Sequence, residues 1–465
     1  MNIKPYLPAL FLIAMATQAF AVEDSLQFGR FGTVHLYQPS SHPKNVAIFV
    51  SGDGGWNLGV VDMARSLAGD GALVIGVDIV HYIGQLDQST EDCTYPAADF
   101  EALSQYVQKK LDLPTYEYPI LVGYSSGATL VYAVLVQGPP NTFAGAISMG
   151  FCPDLPLTKP LCKGSGLEWT AGPKGKGFSF LPAHHLENPW IAFQGTIDQV
   201  CNADSVESFV KTVENSRLVL LPKVGHGFSV EKNWLPQLRK EFATLNAPTG
   251  ATASVKDTTR VSDLPLVELP VAQSQGDLLA VIISGDGGWA GIDKSIGEYF
   301  RAQGIPVVGL NSLKYFWTFR TPDSSGADLT RIVTYYMDKW QKNKILLVGY
   351  SRGADVLPFM TNRLSADLQK RVAGVALLGL EETINFQFHL TDWLGGSDQN
   401  GLPVKPEVEK LSALKVLCVY GSDEKHSLCQ DLDTTWVTLV PMKGGHHFGG
   451  DYTAIAKRIL EIVNQ

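Results

Sequence analysis

Short apolar runs alternate along the second half of the chain with stretches whose apolar residues recur at helical spacing. Runs of this length are typical of buried parallel strands, and they occupy residues 279–283, 306–310, 344–348, 372–378, 416–420 and 436–440. The helical spacing predicts amphipathic helices over residues 294–303, 328–340, 353–364 and 451–463. Strands and helices that alternate in this way predict an α/β fold with a doubly wound, mostly parallel sheet.

The first half of the chain repeats the landmarks of the second half in the same order. The run VAIFVSGDGGW at 46–56 matches LAVIISGDGGW at 279–289, and LVGYSSGA at 121–128 matches LVGYSRGA at 347–354. Later, LPKVGHGF at 221–228 matches VPMKGGHHF at 440–448. A repeat of this length is a duplicated domain and not a solenoid unit.

We therefore predict two tandem domains of the same α/β fold. The N-terminal domain covers residues 22–246, and the C-terminal domain covers residues 276–465. The segment between them, 247–275, is rich in Thr, Ser, Pro and Ala and has no sustained periodicity. That composition predicts a linker.

The first residues of the chain have a pattern typical of export. Lys4 precedes an apolar stretch over 7–16, and Ala19, Phe20 and Ala21 form a small-x-small cleavage pattern. These features predict a signal peptide over residues 1–21 that is removed from the mature protein. An uncleaved membrane anchor is the alternative, although the apolar stretch is short for a span. Export implies a periplasmic or otherwise extracytoplasmic protein.

Composition and charge narrow the classes of partner. Hydrophobic residues make up 45% of the chain and charged residues 18%, so both domains can bury a core. The formal net charge is −9, and no cluster of Lys and Arg forms a basic patch. A nucleic-acid partner is therefore not expected.

The six cysteines are expected to form disulfides, because an exported protein folds in an oxidising compartment. Cys418 and Cys429 are the natural pair within the C-terminal domain. The four cysteines of the N-terminal domain allow three pairings; we favour Cys152 with Cys162 by proximity and Cys93 with Cys201 by default. Free buried thiols are the alternative for each pair.

Each domain contains the pattern Gly-x-Ser-x-Gly directly after a predicted strand and before a predicted helix. The serines are Ser125 in GYSSG and Ser351 in GYSRG. This context is that of a nucleophile elbow, in which the serine occupies a sharp turn that leaves no room for side chains at the flanking glycines. The duplicated motif therefore predicts two nucleophilic serines and an α/β-hydrolase fold in each domain.

An acid and a histidine follow each serine in the order that this fold uses. Asp198 and His226 follow Ser125. Asp423 and His446 follow Ser351, although Glu424 and His447 are adjacent candidates. The repeat favours His446 because it then matches His226, and we favour Asp423 as the acid. Such a histidine accepts the serine proton while the acid fixes its tautomer.

The SGDGGW runs follow the strand that precedes the oxyanion loop in this fold. Their glycines predict backbone N–H groups that face the cleft and stabilise an oxyanion together with the residue after the serine. In the C-terminal domain these donors are predicted to be Gly287 and Arg352, and in the N-terminal domain Gly54 and Ser126. Asp53 and Asp286 are interpreted as bracing the loop or capping a helix, with substrate contact as the alternative.

No metal or cofactor is expected. His446 and His447 are adjacent, and Asp451 is near, but adjacent histidines point in different directions and no third ligand has suitable spacing.

The motifs resemble the bacterial virulence proteins VirJ and AcvB, and the tandem arrangement resembles the longer AcvB form. The resemblance covers most of the mature chain and is most specific in the C-terminal domain, in ISGDGGW, SLKYFWTFRTPD at 312–323, GYSRGADVLPF at 349–359, WLGG at 393–396, LCVYGSDE at 417–424 and GGHHFGGDY at 444–452. It implies a periplasmic α/β hydrolase, linked to virulence, that removes the lysyl or alanyl group from aminoacyl-phosphatidylglycerol at the membrane surface.

One motif distinguishes the two domains. Lys314, Tyr315, Trp317 and Arg320 belong to a run that follows a predicted strand and has no counterpart in the N-terminal domain. We predict that these side chains contact the lipid substrate; a packed aromatic cluster is the alternative. This difference places the predicted activity at Ser351 and gives the N-terminal domain a supporting role. Two other functions remain open: a general esterase or peptidase, and a non-catalytic adaptor for secretion-system components.

Overall fold

A computed structural model describes residues 22–245, 261–271, 276–389 and 401–464. The predicted signal peptide, the WLGG motif at 393–396 and parts of the predicted linker lie outside these residues. No helix within the described ranges is long and apolar enough to cross a membrane.

The strands of the N-terminal domain are β1 (Val22–Phe28), β2 (Gly32–Gln38), β3 (Asn45–Val50), β4 (Ala72–Val77), β5 (Ile120–Tyr124), β6 (Gly145–Met149), β7 (Asp154–Leu155), β8 (Trp169–Ala171), β9 (Phe178–Phe180), β10 (His185–Gly195) and β11 (Glu214–Leu221). Its helices are α1 (Gly59–Gly69), α2 (Ile79–Asp87), α3 (Pro96–Lys110), α4 (Ser126–Gln137), α5 (Ala203–Val210) and α6 (Leu235–Leu245).

The N-terminal sheet has the strand order β1-β2-β4-β3-β5-β6-β10-β11. Its first two pairings are antiparallel, and all pairings from β4 to β11 are parallel. Strands β7, β9 and β8 form a small separate sheet. Apolar side chains on both faces of the large sheet pack under helices and form two cores. This is the doubly wound arrangement that the sequence predicts.

The C-terminal domain contains strands β12 (Leu266–Leu269), β13 (Leu278–Ile283), β14 (Val307–Leu310), β15 (Lys344–Tyr350), β16 (Val372–Leu378), β17 (Thr383–Ile384), β18 (Leu402–Pro403), β19 (Val416–Gly421) and β20 (Val437–Met442). Its helices are α7 (Gly291–Ala302), α8 (Ser312–Tyr315), α9 (Pro322–Lys339), α10 (Arg352–Thr361), α11 (Ala366–Gln369), α12 (Lys405–Glu409) and α13 (Tyr452–Asn464).

The C-terminal sheet has the order β12-β14-β13-β15-β16-β19-β20, which repeats the N-terminal order from β2 onward. All six predicted strands and all four predicted helices are confirmed, within a few residues at most ends. In both sheets the strand order reverses next to the strand that carries the SGDGGW loop. The serine follows the neighbouring strand, so loop and serine meet at the crevice where α/β sheets bind ligands.

The predicted linker boundary is wrong at its second end. Residues 266–269 form β12, which pairs antiparallel with β14 at the edge of the C-terminal sheet. Val261 and Leu264 are buried in the C-terminal core, and Asp263 pairs with Arg331. Four strand residues without alternating polarity gave no signal that periodicity could detect.

The disulfide between Cys418 and Cys429 is confirmed, but both predicted pairings in the N-terminal domain are wrong. Cys93 bonds Cys162, and Cys152 bonds Cys201. The favoured Cys152–Cys162 pair rested on closeness along the chain. The fold instead places Cys152 after β6 beside the loop that follows β10, a neighbouring parallel strand.

The two domains contact each other through residues 314–320 of the C-terminal domain. Trp317 is only 1% exposed, and its Nε1 donates a hydrogen bond of 2.7 Å to the Leu113 carbonyl of the N-terminal domain. The Tyr116 ring lies 5.2 Å from the Trp317 ring and belongs to the C-terminal core. Lys109 Nζ donates to the Trp317 carbonyl at 2.5 Å.

We expect disulfide mapping to recover the pairing that the structure shows. Digestion without reduction should release one peptide pair that joins Cys93 to Cys162 and another that joins Cys152 to Cys201. Replacing Cys93 and Cys162 together with Ala removes the closure of a 69-residue loop. By the chain-entropy argument this should lower the free energy of unfolding by about 4 kcal/mol. A peptide that joins Cys93 to Cys201 would contradict the structure.

Candidate active site

Both predicted nucleophiles occupy the strained turn that a nucleophile elbow requires. Ser125 has a φ of 56° and Ser351 a φ of 51°, a region that side chains with a Cβ rarely adopt. A Cβ on Gly349 would stand 2.3 Å from the Gly353 carbonyl, and one on Gly353 would stand 2.1 Å from the Ile283 carbonyl. Only glycine therefore fits on either side of Ser351, and the serine hydroxyl is presented at the start of a helix.

The N-terminal domain holds a fully hydrogen-bonded triad. Ser125 Oγ lies 2.9 Å from His226 Nε2, and His226 Nδ1 lies 2.9 Å from Asp198 Oδ2. Burial would raise the pKa of the Asp198 carboxyl, but hydrogen bonds from Cys201, His226 and Val200 outweigh it and lower that pKa. The carboxylate that orients His226 therefore stays ionised at neutral pH.

The disulfide between Cys152 and Cys201 supports this triad. The Cys201 N–H donates to Asp198 Oδ1 at 3.0 Å, so the bridge fixes the loop that carries the acid. Asp198, Cys201 and His226 lie close enough together to hold a metal ion. Because the Cys201 sulfur is bonded to Cys152, it cannot act as a thiolate ligand.

In the C-terminal domain the acid of the triad is Glu424, and the prediction of Asp423 is wrong. His446 Nδ1 lies 2.7 Å from Glu424 Oε1, while the other oxygen of Glu424 accepts the Gly421 N–H at 2.7 Å. The Asp423 side chain is exposed and accepts a hydrogen bond from the neighbouring Ser422 hydroxyl.

The chain offered a signal that distinguishes the two acids. Asp198 is the third residue after Gly195, which ends β10, and Glu424 is the third residue after Gly421, which ends β19. Counting from the end of the equivalent strand selects Glu424. Matching residue type alone selects Asp423.

The structure places His446, and not His447, against the acid. His447 Nδ1 lies 2.9 Å from the Tyr350 hydroxyl, and burial together with nearby His446 lowers the pKa of the His447 imidazole. Ser351 and His446 line the same cleft, without a hydrogen bond between their side chains in the described part of the chain. Such bonds often tighten only when substrate binds.

Asp286 braces the turn that carries the nucleophile. Its Oδ1 accepts a hydrogen bond of 2.7 Å from Arg352 Nε, and the Arg352 guanidinium also donates to the Asn385 carbonyl. The equivalent positions of the N-terminal domain are Asp53 and Ser126, which lack the guanidinium needed for such a pair. Gly287 lines the cleft beside Ser351. The oxyanion role of the Gly287 and Arg352 N–H groups stays a prediction.

The predicted substrate contacts of Tyr315 and Trp317 are wrong, whereas those of Lys314 and Arg320 stay a prediction. Tyr315 and Trp317 are fully buried, and both pack in the C-terminal core or against the N-terminal domain. Arg320 stacks on the Tyr315 ring at 4.7 Å, and Lys314 Nζ lies 4.6 Å from the centroid of the Tyr118 ring. The run is a packed aromatic cluster that joins the two domains.

A cleft of about 400 Å³ lies beside Ser351, and both domains line it. Tyr350, His446 and the SGDGGW loop contribute from the C-terminal domain. Glu101 and Thr142 contribute from the N-terminal domain. A second, more polar cleft of about 280 Å³ reaches Ser351 from the side of Arg352. The arrangement can accept an ester with its carbonyl at Ser351 and a substituent in each cleft.

A fluorophosphonate should label both serines, because each lies on a strained turn and shares its domain with a histidine oriented by an acid. We expect the intact chain to carry two labels, and the Ser125→Ala and Ser351→Ala variants to carry one each, as counted by intact-protein mass spectrometry. A single label on the intact chain would show that one site is closed.

The two candidate acids can be separated by isosteric variants in a Ser125→Ala background. Glu424→Gln removes the carboxylate that fixes the His446 tautomer, and loss of that function costs on the order of 10⁴ in kcat in serine hydrolases. Asp423→Asn should leave kcat within about twofold, because its carboxylate is exposed and does not contact His446. An ester assay in which Asp423→Asn is the slower variant would restore the original assignment.

Several solved structures are similar to this chain over part of its length. Among solved structures, the esterase domain of a Rhodothermus marinus protein is 15% identical and covers 48% of this chain and 98% of its own, with a TM-score of 0.34. A putative dienelactone hydrolase from Klebsiella pneumoniae is 14% identical and covers 49% and 99%, with a TM-score of 0.35. A serine hydrolase homologue from Coxiella burnetii is 17% identical and covers 49% and 97%, with a TM-score of 0.33.

No curated protein matches the sequence. The family model described as bacterial virulence protein (VirJ) matches residues 44–147 and 277–465, which together make up more than half of the chain. The matched segments include both SGDGGW loops, both nucleophilic serines and the Glu424–His446 pair. The chain therefore belongs to the bacterial virulence protein (VirJ) family.

Proposed function

We propose that the protein is a serine esterase that removes the amino acid from aminoacyl-phosphatidylglycerol, with Ser351 as its nucleophile. The observation that carries the esterase chemistry is the Ser351 elbow in a cleft shared with a histidine that is hydrogen-bonded to Glu424. The substrate is inferred from the resemblance of the C-terminal motifs to the VirJ and AcvB proteins. The lysyl and alanyl esters are the candidates.

The reaction follows from the positions of these side chains. Ser351 Oγ attacks the ester carbonyl while His446 Nε2 accepts the hydroxyl proton, and Glu424 stabilises the imidazolium. The bond from the carbonyl carbon to the glycerol oxygen then breaks, and His446 returns the proton to that oxygen, which releases phosphatidylglycerol. Water adds to the acyl-enzyme by the same proton transfers and releases the amino acid, so Ser351 is regenerated.

A location outside the cytoplasm fits this substrate and the covalent structure. All six cysteines are paired in three disulfides, which form and persist in oxidising compartments. We propose the periplasm, where the enzyme meets the membrane surface. The N-terminal pattern of a signal peptide supports the same location.

The N-terminal triad favours a second esterase site on the same chain. Ser125, His226 and Asp198 are joined by hydrogen bonds, and Ser125 opens into a cleft of about 330 Å³ that Lys176 and Asp154 line. We propose that this site has a small share of the activity toward aminoacyl-phosphatidylglycerol. Its cleft is separate from the one that both domains line.

The assay compares four proteins on vesicles that contain lysyl- or alanyl-phosphatidylglycerol: the intact chain, Ser351→Ala, Ser125→Ala and the double variant. We expect the double variant to release amino acid at least about 10³-fold more slowly than Ser125→Ala, since the nucleophile Ser351 is removed. Ser351→Ala should keep only the small share that the N-terminal site supplies. Ser125→Ala should release amino acid at a rate close to that of the intact chain. Mass spectrometry of the lipids measures the ester that remains.

Two results would contradict the proposal. Full turnover by Ser351→Ala, with loss in Ser125→Ala, would place the activity in the N-terminal domain. Unchanged release by the double variant would exclude both serines. Hydrolysis of soluble esters without hydrolysis of the lipid would support the general esterase instead.

A further inference from the structure

The cleft beside Ser351 contains carboxyl groups that the esterase mechanism does not use. Glu101 reaches it from helix α3 of the N-terminal domain, and Asp293 reaches it from the first turn of helix α7. Asp286 also lines the cleft but is paired with Arg352. No lysine or arginine is among the described residues that line this cleft.

Asp293 is buried without a full set of partners. The residue is 2% exposed, and its Oδ1 has no hydrogen-bond partner among the described residues. Burial raises the pKa of the Asp293 carboxyl well above its ordinary value, although backbone groups of Gly285, Ala290 and Asp293 itself oppose the rise. A buried carboxyl oxygen without a donor costs free energy, and such a group in a cleft is a candidate for contact with a ligand.

Glu101 is half-buried and lines the same cleft from the N-terminal domain. Burial raises the pKa of its carboxyl to about 7, and no basic group in the described residues lowers it. Among the described residues its side chain has one hydrogen bond, from Gln105 Nε2, which is long at 3.4 Å. Glu101 Oε1 lies 3.7 Å from the point where a Cβ on Gly287 would stand, so the carboxyl adjoins the predicted oxyanion loop.

The position of Glu101 is fixed by the contact between the domains. Helix α3 ends at Lys110. Lys109, just before this end, and Leu113, just after it, are both hydrogen-bonded to Trp317. Asn141 Nδ2 donates to the Trp289 carbonyl at 3.0 Å, next to the first turn of α7. These contacts therefore fix where the Glu101 carboxyl lies in the cleft beside Ser351.

We propose that Glu101 and Asp293 form a subsite for a primary ammonium group on the acyl part of the ester cleaved at Ser351. An ammonium group brings three N–H donors and a positive charge, which are the partners that the two carboxyls lack. Its hydrogen bonds to carboxylates are strong. The inference rests on the proposed esterase function and adds its selectivity: the N-terminal domain supplies Glu101 as a specificity-determining residue for the C-terminal nucleophile.

The test uses the full chain in a Ser125→Ala background and measures kcat/KM for methyl lysinate and methyl hexanoate, esters of the same chain length with and without ammonium groups. Glu101→Gln should lower kcat/KM for methyl lysinate, relative to that for methyl hexanoate, by about tenfold or more. The reason is that a hydrogen bond to a charged group contributes roughly 1.5 kcal/mol or more. The ratio cancels any loss of folded enzyme. Asp293→Asn should lower the same ratio.

Two controls define the outcome. Glu91→Gln removes an exposed carboxylate of the same domain that does not line the cleft, and it should leave the ratio unchanged. Hexanoylcholine carries its cation on the alcohol part, and Glu101→Gln should not reduce its turnover relative to methyl hexanoate. An equal or larger reduction for hexanoylcholine would overturn the assignment to the acyl part.

Failure of this inference is distinguishable from failure of the proposed function. If the parent hydrolyses methyl hexanoate through Ser351 and the ratio is unchanged in Glu101→Gln and Asp293→Asn, the esterase stands and the ammonium subsite is wrong. If Ser351→Ala hydrolyses methyl hexanoate as fast as the parent, the Ser351 esterase itself is wrong and the subsite falls with it.

Discussion

The contact around Trp317 determines how the two domains can act together. An indole that is 1% exposed, bonded to Leu113 and packed on Tyr116, joins one core to the other. Full burial of a large aromatic side chain stabilises a contact by a few kcal/mol, and its ring N–H makes the geometry specific. Helix α3, whose C-terminal end holds Trp317 through Lys109, also carries Glu101 into the cleft beside Ser351, so this contact makes the N-terminal domain a wall of that cleft.

Three carboxyl groups of the molecule show how the partners of a side chain shift its pKa. Asp198 is buried, yet N–H donors and a histidine surround it, and its pKa falls. Asp293 is buried and Glu101 half-buried, with weaker or missing partners, and desolvation raises the pKa of both carboxyls. The difference is the supply of donors and cations, since desolvation acts in the same direction on all of them. One arrangement suits the orientation of a histidine, and the other suits a ligand that brings its own charge.

Much of the fold was predictable because both domains have the same apolar runs and motifs, so the strands predicted in one domain could be compared with those in the other. The serines and histidines were predictable for the same reason. Asp423 was a wrong prediction because residue type was given more weight than the distance from the strand end that selects Glu424. The N-terminal disulfides depend on which strands become neighbours, and β12 is too short to have a period. The roles of Tyr315 and Trp317 depended on a domain contact that no local pattern encodes.

The duplication also shows where the two copies have diverged. Pro96 opens helix α3 and Pro322 opens helix α9, and counting from these prolines pairs Glu101 with Ala327. At this helical position the N-terminal copy therefore has a carboxyl group, and the C-terminal copy has a methyl group. In the proposed subsite, the N-terminal copy supplies this carboxyl to the cleft beside the nucleophile of the C-terminal copy. A second copy of the C-terminal domain in the first position would therefore present an alanine at this place instead of a glutamate.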